Sequence, residues 1–118
     1  MDNRKGESMR YISIEDFYQK ADLCSRISRQ QEIAYTKAME TDDLDARKKL
    51  IESYIPMVAS HIRHMKPHMQ TLGLVMYCMQ ALEKAVDSFD FLQDSESFSH
   101  HLSWRLRDAT AKYIVRNI

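Results

Sequence analysis

The sequence predicts an all-α fold, a compact bundle of about five helices, and three observations predict it. Apolar residues recur at steps of three and four along most of the chain, the period of a helix with one buried face. Side chains that cap helices stand just before those runs. The 118 residues include only two glycines and two prolines, too few for the tight turns of an all-β fold. Hydrophobic residues make up 44% and charged residues 29%, a composition that folds, at the length of one domain.

Met1 to Tyr11 reads as a frayed leader. Ser13 caps a first helix with Glu15 and Asp16 in its first turn, where carboxylates suit the helix dipole. Ile14, Phe17, Tyr18 and Ala21 form its apolar stripe. Arg26-Ile27-Ser28 is a break, and Ser28 with Gln31 has capping-box spacing for a second helix from Arg29 to about Glu40. Thr41-Asp42-Asp43 is a polar turn, with Asp43 the cap of the third helix.

The third helix carries Ile51, Tyr54, Ile55, Val58, Ile62 and Met65 on one continuous face. Pro56 lies inside that pattern and must delete one backbone hydrogen bond, which bends the helix or breaks it. Lys66-Pro67-His68 ends the segment. The fourth helix aligns Leu72, Val75, Met79, Leu82, Val86 and Phe89. Leu74, Met76, Tyr77 and Cys78 make its first half apolar all round, so that half is either central in the core or covered by a partner. Phe91 to Ser97 is a loop. Ser97 or Ser99 caps the last helix, whose core stripe is Phe98, Leu102, Leu106, Ala109 and Tyr113. The first 25 residues are expected to form an N-terminal extension with the first helix, and residues 26–118 the helical domain.

Several functional classes are excluded or disfavoured. Two isolated glycines cannot build a GxGxxG or GxxxxGK[ST] loop. Cys24 and Cys78 lack CxxC spacing and fit a reduced, cytoplasmic protein better than a disulfide scaffold. No apolar run approaches the roughly 20 residues that span a bilayer, so no membrane association is expected. His61, His64 and His68 have spacing that could share a helix face, but Pro67 interrupts it and no carboxylate completes a set, so neither metal nor cofactor is expected. No nucleophile and base have a recognisable arrangement, so the reading is of a non-enzyme. Five of the eight methionines lie between Met57 and Met79, as core filler or as an adaptable binding surface.

The last helix is the most informative element. Trp104 stands two residues from Leu102 and so points about 200° away from the core stripe. Arg105, Lys112 and Arg116 form a neighbouring cationic column. The 17 basic and 17 acidic residues cancel over the chain but segregate locally: four basic residues and one acid follow Phe98, whereas Thr71 to Ser97 holds one basic residue and five acids. An outward indole beside cations suits a single-stranded nucleic acid, with bases stacking on the ring and cations holding phosphates. The alternative is that Trp104 packs beneath the N-terminal helix, with an ordinary solvated face beside it.

The order of short motifs resembles region 2 of bacterial RNA polymerase sigma factors. Ser28-Arg29-Gln30-Gln31-Glu32-Ile33, Thr41-Asp42-Asp43, Ala46-Arg47-Lys48-Lys49-Leu50-Ile51-Glu52 and Tyr54-Ile55-Pro56-Met57-Val58 resemble its opening. Ala81-Leu82-Glu83-Lys84-Ala85-Val86-Asp87-Ser88-Phe89-Asp90 resembles the family's Gly-Leu-x-x-Ala-x-x-x-Phe-Asp. Phe98-Ser99-His100-His101-Leu102-Ser103-Trp104-Arg105-Leu106-Arg107-Asp108-Ala109 resembles its Phe-Ser-Thr-Tyr-Ala-x-Trp-Trp-Ile-Arg-x-Ala. The resemblance implies a sigma region 2-like fold, a role in transcription initiation, and promoter DNA and core RNA polymerase as partners. By position it assigns promoter −10 contact and melting to Phe98, His101, Trp104 and Arg105, and nearby basic contacts to Arg107 and Lys112; Arg116 extends the basic column.

The departures have consequences. Where the family's polymerase-binding helix carries Asp-Leu-x-Gln-Glu-Gly, this chain has Gly73-Leu74-Val75-Met76-Tyr77-Cys78. The clamp contact is then lost or made with different chemistry. The surface of Leu72, Val75, Met76, Tyr77 and Met79 is expected to face the polymerase or another protein, even a second copy. Asp108 sits near the expected DNA face and needs Arg105 or Lys112 to neutralise it. The family's C-terminal −35-binding domain is not expected within these residues, and a second protein or a further part of the chain is expected to supply that recognition. The alternative is a protein-interaction module or regulator on a sigma-like scaffold that no longer binds promoter DNA.

Overall fold

Each helix starts where a capping side chain takes up its free backbone N–H groups. The computed structural model describes residues 10–91 and 97–117. Helix α1 spans Ile14–Asp22, and the Ser13 hydroxyl accepts from the Asp16 N–H. Helix α2 spans Arg29–Met39, and Ser28 and Gln31 form the reciprocal capping box. Helix α3 spans Leu44–Arg63 behind Asp43, α4 spans Leu72–Ser88 behind Thr71, and α5 spans Phe98–Arg116 behind Ser97. A short 3₁₀ turn, Pro67–Met69, links α3 to α4. These five α-helices and that turn are the regular structure of the described residues.

Pro56 does not break α3, which runs unbroken through it for 20 residues. Burial of Leu50, Ile51, Ile55, Val58, Ala59 and Ile62 on one face holds the helix together across the missing hydrogen bond. The turn before α3 contains Asp42 at φ 62°, the left-handed region, which aspartate tolerates better than most residues.

Helix α4 is central and packs against both α3 and α5. Its Leu74, Val75, Cys78, Leu82 and Val86 are buried with Leu50, Val58 and Ile62 of α3 and Leu102 and Leu106 of α5. It runs antiparallel to α5: Thr71 at its start meets Tyr113, and Ser88 at its end meets Arg105. Arg47 forks onto Asp87 at 2.8 and 2.9 Å, fastening the start of α3 to the end of α4.

Helix α1 joins the same core through Phe17 and Ala21. Arg63 reinforces it with a two-pronged bond to Asp22 and a position 4.5 Å over the Tyr18 ring. Tyr11 corrects the expectation of a leader running to that residue. It is half-buried edge-on against Phe17, at 4.9 Å, and burial pushes its hydroxyl pKa up to about 12. The rest of that leader, residues 1–9, lies outside the described residues, as do residues 92–96 of the expected loop.

A polar network ties α2 down. Glu32 is buried, accepts from Arg29 at 2.7 Å and is bonded by the Tyr54 hydroxyl of α3. Arg29 also donates to the Phe91 carbonyl at 3.2 Å. Burial and the bond to Glu32 raise the Tyr54 pKa well above its ordinary value. Both cysteines are free thiols; Cys78 is buried, which pushes its pKa up to about 11.

Candidate nucleic-acid interface

Leu102, Leu106 and Ala109 root α5 in the core, so the opposite side of the helix must face outward. Trp104 stands there, 58% exposed. Its ring is framed by its own helix. The indole N–H donates to Nε2 of His100, one turn earlier, at 3.3 Å, and the Arg107 guanidinium lies 5.2 Å from the ring centroid. Arg107 is among the expected DNA contacts, whereas His100 was missed, although its i, i+4 spacing from Trp104 was the available signal.

Helix α3 supports this side of α5. His61 Nε2 lies 2.8 Å from the Thr110 hydroxyl, which itself donates to the Leu106 carbonyl at 2.9 Å. Thr110 must therefore accept, and His61 carries its proton on Nε2. Burial lowers the His61 pKa, and the nearby Arg107 and His64 charges lower it further. The three histidines considered for a metal diverge. His61 serves Thr110, His64 Nδ1 bonds the Ser60 carbonyl at 2.7 Å, and His68 sits in the 3₁₀ turn. Among the described residues, no three His, Cys, Asp or Glu side chains gather as a metal site.

Three expected DNA contacts pack against the protein itself. Phe98 is 2% exposed and packs on Phe91, Phe89 and Tyr54, so the core claims the ring and leaves no face for a base. His101 is half-buried against Phe89 at 5.0 Å. Arg105 is also half-buried and reaches the Ser88 hydroxyl of α4 at 3.4 Å. Arg107, Lys112 and Arg116 are exposed. Lys112 neutralises Asp108 at 3.1 Å, the pairing that the acid required. The cationic column is thus split: Arg105 is drawn to Ser88, and Lys112 and Arg116 line the side toward Tyr77 of α4, while Arg107, outside the column, shares a flank with Trp104.

The expected partner surface is narrower than its sequence stripe. Val75 and Met79 are buried, at 1% and 4% exposure, because α4 is covered on both sides. Met76 is 61% exposed, and Leu72 and Tyr77 are half-buried. A cleft of about 310 Å³ runs beside Met76, between Leu72 and Gln80 of α4 and Arg10 and Tyr11. Tyr113 closes over the start of α4. Its hydroxyl lies 2.8 Å from the Thr71 hydroxyl, and its ring meets Tyr77 edge-on at 5.4 Å.

Comparison with known proteins bears on what this frame belongs to. RNA polymerase sigma factor SigA of Listeria monocytogenes is 32% identical over 90 residues, 75% of this chain. SigA of Listeria innocua matches to the same extent. This chain contains a sigma-factor-like region. It spans about a quarter of the length of these relatives, 24% of each. No family model matches the chain, and no solved structure does. No helix of the described residues is long and apolar enough to cross a membrane.

Proposed function

We propose that the protein is a sigma factor-like transcription initiation protein that holds single-stranded promoter −10 DNA on the outer side of α5. Trp104 is the stacking platform and Arg107 the adjacent phosphate contact, with His100 at the indole edge. The observation that carries this reading is the exposed Trp104 ring with Arg107 beside it, on a helix whose other side is fixed in the core. The likeness to SigA supports transcription as the setting. Core RNA polymerase is the proposed protein partner and the cytoplasm the proposed location. The protein acts by binding, without catalysis of its own.

The test is Trp104 fluorescence on titration with non-template single-stranded promoter DNA at low salt. Stacking quenches the indole, and affinity falls as salt rises because phosphate contacts release counterions. Unchanged fluorescence together with no salt-dependent binding refutes the reading. A second reading, a regulator on a sigma-like scaffold, is favoured by uncharged Gly73, Met76 and Tyr77 at positions where the family has polar clamp contacts. Pull-down of core polymerase by the full chain separates the two.

A further inference from the structure

The split of the cationic column leaves Lys112 and Arg116 in a second setting. With Ala111 and Val115 of α5 and Tyr77 of α4 they line a cleft of about 400 Å³. Val115 is 71% exposed, and Ile114 beside it 42%. No charged residue occurs from Met69 to Leu82, so the α4 wall is uncharged along its first half. Arg116 makes no ion pair among the described residues, and the one acid near it on α5, Asp108, is already satisfied by Lys112.

We infer that this cleft binds an amphipathic helix of a protein partner, with an apolar stripe against Tyr77, Ala111 and Val115 and carboxylates toward Arg116 and Lys112. A groove between two antiparallel helices receives the ridge of a third, and the described residues offer no strand edge for an extended segment. Charge complementarity chooses the partner's polar residues. A cationic helix would meet Arg116 and Lys112 with like charge, and an uncharged one would leave Arg116 without a counterion, Lys112 keeping Asp108. A nucleic acid strand would satisfy the cations but gain little from Val115 and Ala111. The inference goes beyond the DNA reading and holds whether or not Trp104 stacks on bases.

The experiment uses the full chain and two fluorescein-labelled synthetic helices of about 18 residues. Both carry leucines at i, i+3, i+4 and i+7; one has glutamates flanking the stripe, the other lysines. Anisotropy is expected to show saturable binding of the glutamate helix and roughly tenfold weaker binding of the lysine helix. Val115→Asp and Arg116→Glu are each expected to weaken the glutamate helix by about fivefold or more, while Trp104→Ala leaves it unchanged. Val115 is exposed enough that its substitution spares the fold, and a thermal melt checks this. No binding of the glutamate helix, equal binding of the two helices, or full binding by Val115→Asp overturns the inference. So does a dimer in sedimentation that Val115→Asp dissolves, because the cleft would then belong to a second copy.

Discussion

The ring of Tyr113 occupies the space that a side chain on Gly73 would need: a Cβ there would lie 2.9 Å from Cε1 and 3.2 Å from the hydroxyl oxygen. The ring has little room to retreat, because Thr71 holds its hydroxyl and Tyr77 packs on its edge. Gly73 thus lets the end of α5 lie close against the start of α4. A residue with an acidic side chain at that position would require a different seating of Tyr113.

Gly73→Ala tests this directly. Alanine gains about 1 kcal/mol of helix propensity over glycine, whereas overpacking costs about 1–3 kcal/mol. The clash is expected to win by about 1 kcal/mol in urea unfolding. In a Tyr113→Ala background the same substitution should become stabilising. Stabilisation in the native background would mean that the ring yields freely.

Trp104→Ala should separate binding from folding. An exposed side chain changes stability by about 0.5 kcal/mol or less, whereas loss of a stacked base costs about 1–3 kcal/mol. Binding of single-stranded promoter DNA should therefore fall by at least about fivefold while the thermal midpoint barely moves. Arg107→Ala should weaken binding and also lower its salt dependence.

The buried carboxylate of Glu32 depends on two donors, Arg29 and Tyr54. Tyr54→Phe removes one of them and keeps the ring against Phe98. The expected cost is about 1–3 kcal/mol, read by guanidinium unfolding. Glu32→Gln in the Tyr54→Phe background should recover part of it, since a neutral amide is less costly to bury with few partners.

His61 should make stability depend on pH. Its folded pKa lies below the ordinary value of 6.5, so the unfolded chain binds the proton more readily. The stabilisation is complete above about pH 6.5 and is lost as pH falls from there through the lower folded pKa. Unfolding free energy measured from pH 7.5 to 5 should fall on the acid side, and His61→Gln should flatten that fall. An unchanged slope in His61→Gln would assign it to other groups.

Much of the fold was legible because it is written in local chemistry. Ser13, Ser28, Asp43, Thr71 and Ser97 cap the helices they precede, and the three-four spacing of Leu102, Leu106 and Ala109 marks the buried side of α5. The outward direction of Trp104 follows from the same periodicity. The candidate site was legible only in part. Periodicity placed Phe98 in the core stripe, where three aromatic rings enclose it; its assignment as a DNA contact came from the resemblance, which transfers positions without their surroundings. For Val75 and Met79 the stripe left two alternatives, a central helix or a partner surface, and the packing of α4 between α3 and α5 decides for the core.

The sequence by itself determined the helices, the core face of four of the five, and the resemblance that relates this chain to sigma factors, because caps and periodicity act within a few residues. Only the tertiary structure decided which side chains remain free. It gave Phe98 to the core and Arg105 to Ser88, and opened a cleft beside Val115. Those outcomes depend on pairs more than ten residues apart, such as Gly73 with Tyr113 and His61 with Thr110, whose distances are set by how α3, α4 and α5 pack.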